Sequence, residues 1–146
     1  MAIPKAGRVL AVDWGERRFG LALSDESQII ATPLVTLTRR AGKRFPMPAF
    51  LKLLGSHEPV GLVVGLPLTA EGAEGPAAAA ARELAERLSR RTSLPVELVD
   101  ERMTTARARA AIREQEGSAR GRKGDVDALA ATVLLQGFLE RRRNAG

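Results

Sequence analysis

The chain has 146 residues, and its 23 lysine and arginine residues against 17 aspartate and glutamate residues give a formal net charge of +6. This length is typical of one domain of roughly 100–150 residues, so we expect residues 1–146 to form a single domain. The absence of cysteine excludes disulfides, thiol nucleophiles and thiolate metal sites, and no apolar run approaches the ~20 residues of a membrane span.

The composition predicts a soluble protein of the cytoplasm, because it combines no cysteine with no signal-peptide-like apolar stretch. The positive charge comes almost entirely from arginine, which favours an anionic partner such as nucleic acid. Codon bias in a GC-rich genome produces the same composition, so charge alone leaves both explanations open.

Three β-strands are predicted at the start of the chain. Residues 9–12 form an apolar run that is too short for a helix and ends at Asp13. Residues 19–23 alternate large and small side chains, which indicates a strand with one tightly packed face. Residues 29–37 are rich in β-formers, and Pro33 indicates an edge strand or an interruption. Together these segments predict an antiparallel meander.

Helices and strands alternate in the next part of the chain. Residues 46–57 place apolar side chains at roughly helical spacing, and residues 60–66 form a glycine-spaced β run that Pro67 ends. Residues 76–91 predict the clearest helix: Pro76 suits its first turn, and apolar residues repeat at intervals of 3, 4 and 7, namely Ala81, Leu84, Ala85 and Leu88. Residues 96–99 predict a short strand.

The C-terminal part predicts two helices joined by a basic loop. Thr104 or Thr105 suits the cap of a helix over residues 106–116, residues 117–124 read as a mobile loop, and apolar spacing from Val126 to Phe138 predicts the last helix. The arginines at positions 141–143 end this helix, where they suit the helix dipole, and are otherwise expected in a solvated tail. The order βββαβαβαα predicts an α/β fold, a mixed sheet with helices on its faces.

Elimination restricts the chemistry that the chain can perform. His57 is the only histidine, and its position at a helix end favours a surface or capping role. The sequence contains no nucleophile elbow, no phosphate-binding P-loop and no tyrosine. Carboxylates are therefore the remaining candidates for catalysis.

Three carboxylates lie at the ends of predicted elements. Asp13 follows the first strand, Glu101 follows the last strand, and Asp127 lies in the first turn of the last helix. Because ligands bind beyond the carboxyl ends of strands, Asp13 and Glu101 converge if their strands are neighbours. Converging carboxylates repel one another unless a cation lies between them, and Mg²⁺ or Mn²⁺ prefers oxygen ligands.

Each acid also has a purely structural interpretation. Asp13 suits a turn before Gly15, Glu101 suits a surface pair with Arg102, and Asp125 or Asp127 suits a helix cap. The basic surroundings favour the site: residues 102–123 contain seven basic side chains and two acidic ones, as a phosphodiester substrate requires. Trp14 is the one candidate for base stacking, although burial in the core is the favoured role.

Four motifs, in order and in register over nearly the whole chain, resemble the YqgF family, which is also described as a pre-16S rRNA nuclease or Holliday-junction-resolvase-like protein. They are Asp13-x-Gly15-x-x-Arg18-x-Gly20-x-Ala22, Val64-Gly65-Leu66-Pro67-Leu68 with Gly72 beyond, Asp100-Glu101-Arg102-Met103-Thr104-Thr105, and Lys123-x-x-x-Asp127-Ala128-Leu129-Ala130-Ala131.

This resemblance implies a ribonuclease H-like fold, expected here as a five-stranded mixed sheet with helices on both faces. It also implies a nuclease that uses Mg²⁺ or Mn²⁺ and matures the 5′ end of 16S rRNA in ribosome biogenesis. By motif position the catalytic and metal-binding acids are Asp13, Glu101 and Asp127, with Asp125 open as an alternative to the last. The basic positions, expected to contact substrate phosphates, are Arg18, Arg102 and Lys123.

The sequence therefore favours a nuclease that hydrolyses phosphodiester bonds in precursor ribosomal RNA, free or in a ribosomal precursor particle. Two alternatives remain open from the residues. One is a resolvase of branched DNA, which the residue types do not distinguish from an RNA nuclease. The other is a non-catalytic module that binds nucleic acid or a ribosome precursor and keeps the acids as structural caps.

Overall fold

The computed structural model describes residues 1–39, 44–69, 71–101 and 123–145 of the chain. Five strands and three helices lie in this part. In chain order they are β1 (Val9–Asp13), β2 (Arg18–Ser24), β3 (Ala31–Thr38), α1 (Met47–His57), β4 (Gly61–Leu66), α2 (Pro76–Thr92), β5 (Val96–Asp100) and α3 (Lys123–Ala145). The helix predicted over residues 106–116 and the loop over residues 117–122 lie outside the described residues.

The five strands form one mixed sheet in the order β3-β2-β1-β4-β5. The first three strands are joined by short turns and pair antiparallel, which confirms the predicted meander. Strands β4 and β5 each follow a helix and run parallel to β1, because a helical crossover returns the chain in the same direction. All carboxyl ends of the parallel strands therefore lie at one edge of the sheet.

Pro33 lies in β3, which is an edge strand as predicted. The β2–β3 register also shifts between Leu21 and Ala22, whose partners are Val35 and Pro33. Both effects follow from the missing N–H of proline, which cannot complete a ladder of hydrogen bonds inside a sheet.

One face of the sheet packs against α1 and α2. Strand residues of alternate parity, such as Leu10, Val12 and Leu21, meet Phe50 of α1 and the apolar stripe of α2 in one core. The α2 residues predicted from the 3, 4, 7 spacing are all buried there: Ala81, Leu84, Ala85 and Leu88. The prediction of this helix is thus confirmed, with Pro76 in its first turn.

The opposite face packs against α3, which crosses β1, β2 and β3. Its buried side chains include Ala131, Leu134, Leu135 and Phe138, which meet Val9 and Ala11 of β1. The sheet thus has helices on both faces, as predicted. Helix α3 already begins at Lys123, so the prediction of a loop through Gly124 is wrong by two residues.

The C-terminal arginines lie at the end of α3, as predicted, but Arg142 and Arg143 also bind the rest of the fold and are not simply a solvated tail. Arg142 donates to the carbonyl oxygen of Ile3 at 2.9 Å and to Oε1 of Gln28 at 3.0 Å. Arg143 donates to the carbonyl oxygen of Ile29 at 3.2 Å. Arginines in the last turn of α3 therefore donate hydrogen bonds to backbone carbonyls of the N-terminal segment and of the β2–β3 turn. Among the described helices, none combines the length and apolar character needed to cross a membrane.

Candidate active site

The structure brings together the three acids predicted to form the site. Asp13 is the last residue of β1, Glu101 directly follows β5, and Asp127 lies one turn into α3. The Asp13 and Glu101 carboxyl groups share a hydrogen bond, and Asp127 is close enough to act electrostatically on Asp13. The three groups therefore form one cluster at the carboxyl edge of the sheet, and we call it the acidic cluster.

Strand parity explains why the acids meet on the α3 side. Asp13 lies two residues after Ala11, and Glu101 lies two residues after Val99; both apolar residues pack in the core beneath α3. Since side chains two residues apart in a strand point to the same face, Asp13 and Glu101 point towards α3. Asp127 approaches the same point from the helix itself.

From the sequence, Asp13 and Glu101 are expected to converge if β1 and β5 are neighbouring strands. The two strands are not neighbours. Strand β4 lies between them. The two side chains meet across the end of β4 because Gly65 has no side chain there: a Cβ on Gly65 would lie 2.6 Å from Oε1 of Glu101. Gly65 is thus a site-forming residue that the sequence analysis did not identify as such.

Gly20 has the same role on the other side of Asp13. It is the register partner of Asp13 in the β1–β2 pair, and a Cβ there would overlap the backbone carbonyl of Asp127. The large–small alternation of residues 19–23 predicted a tightly packed face. It gave no indication that the packed element is the part of α3 that carries Asp127.

The surroundings of Asp13 in the acidic cluster disfavour its charged form. Burial, the hydrogen bond with Glu101 and the negative charges of Glu101 and Asp127 together raise the pKa of Asp13 to about 9. Two buried oxygens, Oε1 of Glu101 and Oδ2 of Asp127, accept no hydrogen bond within the described residues. Buried acceptors are normally satisfied. Oδ2 of Asp127 faces the guanidinium of Arg18, whereas Oε1 of Glu101 has no partner among the described residues.

Arg18 is the one predicted basic residue whose side chain the structure describes. Its Nε lies 3.0 Å from Oδ2 of Asp127, as an ion pair without the alignment of a hydrogen bond, and 47% of its side chain is exposed. The Arg18 guanidinium therefore lies against the acidic cluster and is also accessible from solvent. Lys123 begins α3, whereas Arg102 lies outside the described residues.

The acidic cluster has the chemistry of a site for a hard divalent cation. The three acids offer carboxylate oxygens only, they concentrate negative charge, and Oε1 of Glu101 is buried without a partner in the part of the chain that the structure describes. As the side chains stand, no three acidic or histidine residues of the described chain are arranged around a common metal position. The Asp13–Glu101 hydrogen bond would have to open for both carboxyl groups to face one ion.

Two further residues have the structural roles that the sequence favoured. Trp14 is half-buried and packs against the core beneath α1 and α2. His57 occupies the last turn of α1, where a basic side chain suits the negative end of the helix dipole.

Comparison with known sequences gives a consistent result. The family model described as "RuvX: Holliday junction resolvase" matches residues 7–141. A protein of Anaeromyxobacter dehalogenans (strain 2CP-C) named "Putative pre-16S rRNA nuclease" is 44% identical over 135 residues, which cover 92% of this chain and 98% of that protein. A protein of the same name from Paracoccus denitrificans (strain Pd 1222) is 39% identical over 145 residues, or 99% of this chain and 91% of the relative.

Comparison with solved structures gives the fold. Thermus thermophilus RuvC in complex with a Holliday junction substrate superposes with a TM-score of 0.62 at 14% identity, covering 94% of this chain and 96% of RuvC. The yeast mitochondrial Holliday junction resolvase Ydc2 gives a TM-score of 0.58 at 11% identity, covering 99% and 85%. The fold is ribonuclease H-like, as the motif resemblance implied.

Proposed function

Since this chain belongs to the RuvX family, also called YqgF, and is a nuclease, we propose that it is a metal-dependent one that matures the 5′ end of precursor 16S rRNA. The name carried by relatives up to 44% identical over nearly their whole length supports this substrate. We further propose that residues 1–146 act as one nuclease domain in the cytoplasm.

The observation that carries the proposal is the convergence of Asp13, Glu101 and Asp127. Three carboxyl groups from distant parts of the chain meet at one point, and Oε1 of Glu101 is buried there without a partner among the described residues. A structural role as caps does not explain this arrangement, because a capping carboxylate accepts backbone N–H groups at its own helix. A site for a divalent cation explains both the crowding of the acids and the unpaired oxygen of Glu101.

Asp13, Glu101 and Asp127 would hold the ion, Mg²⁺ or Mn²⁺. Such an ion activates water and stabilises the leaving oxygen in phosphodiester hydrolysis. To bind it, Asp13 has to release the proton that its raised pKa retains at neutral pH. Glu101 accepts the shared hydrogen bond only while Asp13 is protonated. Loss of that proton therefore frees both carboxylates for the ion at the same time.

Arg18 would place the scissile phosphate. The guanidinium of Arg18 pairs with Asp127, and nearly half of the Arg18 side chain is exposed to solvent. It can therefore also donate to a phosphate oxygen beside the acids. Arg102 and Lys123 occupy the remaining basic positions of the family motifs. We propose that they contact phosphates on either side of the cleaved bond.

The test is cleavage of end-labelled precursor 16S RNA and of a four-way DNA junction, each with Mg²⁺, with Mn²⁺ and with chelator. Wild type and Asp13→Asn are compared. We expect metal-dependent cleavage of the RNA by wild type and none by the variant, which retains the size of the side chain but cannot form a carboxylate. Circular dichroism and RNA affinity verify that the variant is folded and still binds.

Each other result changes a defined part of the proposal. Cleavage of the junction in place of the RNA retains the acidic site and changes the substrate to branched DNA. Among the structural neighbours, RuvC is bound to a Holliday junction and Ydc2 is a Holliday junction resolvase. Cleavage only of an assembled precursor particle adds ribosomal proteins to the substrate. Binding of every substrate without cleavage indicates a non-catalytic module, and cleavage by Asp13→Asn refutes the acidic site.

A further inference from the structure

A second polar site lies on the sheet face opposite the acidic cluster. It is a pocket of about 410 Å³ between the β1–β2 turn, the segment before α1 and one face of α2. Its walls combine aromatic rings with arginines, namely Trp14, Phe19, Phe45, Arg39, Arg44, Arg87 and Arg90. We call it the arginine pocket.

The floor of the arginine pocket is aromatic. Phe19 and Phe45 are buried and meet edge to face with ring centroids 4.7 Å apart. Arg39 lies over the Phe19 ring, with its guanidinium carbon 5.7 Å from the centroid, and donates to the carbonyl oxygen of Glu16. A cation held over an aromatic ring keeps its position better than a free arginine, so the floor also has a fixed positive charge.

The rim of the pocket is positively charged and only partly neutralised. Four arginines face one acid, Glu83. Arg90 pairs with Glu86 at 3.0 Å on the exposed side of α2. Arg44 and Arg87 form no ion pair with any side chain in the described part of the protein. As far as the described residues go, these two guanidinium groups are open to an anion, and their planar donors suit phosphate.

The arginine pocket is connected to the acidic cluster through two consecutive residues. Asp13 and Trp14 have Cα atoms about 3.8 Å apart, and consecutive side chains at a strand end point to opposite faces. Asp13 accordingly enters the acidic cluster while Trp14 lines the arginine pocket. A polymer that crosses the carboxyl edge of the sheet at β1 contacts both sites.

We propose that the arginine pocket binds an unpaired nucleotide that flanks the cleaved bond, with its phosphate on Arg44 and Arg87 and its base against Trp14. The volume suits a ligand of nucleotide size. A base reaches an aromatic wall only when it is unstacked and unpaired, as in single-stranded segments. The inference deepens the proposed function, and it assigns the enzyme a preference for a single-stranded segment beside the cut.

The experiment uses Trp14, the single tryptophan of the chain, as the reporter. Its emission is titrated in chelator, which prevents cleavage, with a short single-stranded oligoribonucleotide and with a duplex of the same sequence. We expect saturable quenching by the single strand and a much weaker response to the duplex. An acidic peptide of equal charge should leave the emission unchanged.

Arg87→Gln and Arg91→Gln form a matched pair of variants. Both remove one positive charge from the second half of α2, but only Arg87 lines the pocket, whereas Arg91 is exposed outside it. We expect Arg87→Gln to weaken the affinity for the single strand about 10-fold and to lower the salt dependence by about one phosphate contact, while Arg91→Gln has little effect. Thermal unfolding verifies that both variants are folded.

Several results would overturn the arginine pocket as a nucleotide site: equal effects of the two variants, equal quenching by duplex or peptide, or no change in emission. The outcome is separable from that of the proposed nuclease. Quenching that depends on Arg87 in a protein that cleaves nothing retains the pocket and refutes the nuclease proposal. Cleavage with an unchanged KM in Arg87→Gln refutes the pocket and retains the nuclease.

Discussion

Gly20 of β2 lies directly beneath the backbone of Asp127 in α3, so closely that a Cβ on Gly20 would overlap the Asp127 carbonyl group. Gly20 is at the same time the register partner of Asp13. A residue without a side chain thus lets the helix reach the sheet at the point where the acids of two elements meet. The position of α3, and with it the acidic cluster, depends on this contact.

Gly20→Ala should therefore reduce both stability and cleavage. The obstacle is backbone, which cannot rotate away as a side chain can, so the start of α3 has to move off the sheet. We expect the free energy of unfolding, measured in urea, to fall by about 1–3 kcal/mol, as for other overpacked cores. Metal-dependent cleavage should fall further, because Asp127 moves with the helix.

Gly55→Ala is the control for this change. Gly55 lies inside α1, and a Cβ there meets nothing within 4 Å. Alanine is the better helix former, so this variant should gain about 0.5–1 kcal/mol in the free energy of unfolding with unchanged cleavage. A Gly20→Ala protein as stable and as active as wild type would contradict the role assigned to the close contact.

Gly65→Ala should affect the site more than the fold. Its Cβ would lie 2.6 Å from Oε1 of Glu101 and 3.0 Å from Cδ2 of Leu134, both of which are ends of side chains that can shift. We expect only a small change in the urea midpoint. Displacement of Glu101 from Asp13 should lower kcat about 10- to 100-fold, since misplacement of a catalytic group by about 1 Å has such effects. Normal kcat would show that Glu101 need not occupy this position.

The sequence predicts the elements of this fold better than the contacts that form the site. The 3, 4, 7 spacing of α2 and the apolar runs of β1 and β4 are local patterns, and burial of one helix face or both sheet faces follows from them directly. The convergence of Asp13 and Glu101 was also predicted, but for neighbouring strands. The actual route, across Gly65 of an intervening strand, depends on strand order.

The Arg18–Asp127 pair and the Arg142 contacts could not be predicted for the same reason. Each joins residues more than 100 positions apart in sequence, and no periodicity or spacing within one element contains that information. The arginine pocket is a similar case, because Arg39 and Arg44 come from the connection between β3 and α1 whereas Arg87 comes from α2. Charge composition indicated an anionic partner, while the three-dimensional grouping gives the binding surface.

Asp13→Asn should stabilise the metal-free protein increasingly as the pH rises. The pKa of Asp13 is raised to about 9 from 3.8 by burial, by its hydrogen bond with Glu101 and by neighbouring charge. Between these values the folded chain retains a proton that the unfolded chain releases, so stability from this group is full below pH 4 and declines as the pH rises towards 9. Asparagine removes that decline, so we expect the stability gain of the variant to be small at pH 4 and to grow steadily towards pH 8.

Thermal unfolding in chelator from pH 4 to pH 8 measures this effect. Glu71→Gln, which removes one exposed negative charge outside the site, is the matched control and should show no such pH-dependent gain. Addition of Mg²⁺ or Mn²⁺ should stabilise wild type and not Asp13→Asn. A variant that is less stable than wild type at pH 8 without metal would show that folding does not disfavour the charged form of Asp13.

Gln136→Leu should weaken the connection between α3 and β3. Gln136 is buried; its Oε1 accepts the N–H of Ala31 at 2.8 Å and its Nε2 donates to the carbonyl of Ile29 at 2.9 Å. Leucine removes the hydrogen bond to the N–H of buried Ala31, whereas the Ile29 carbonyl keeps its hydrogen bond from Arg143. An unsatisfied buried donor lowers stability by about 1–3 kcal/mol. Thr132→Val, one turn earlier on the same helix, loses only a bond to the Ala128 carbonyl within α3, so it should change the urea midpoint much less. Equal losses in the two variants would mean that the Gln136 bridge contributes nothing beyond ordinary burial.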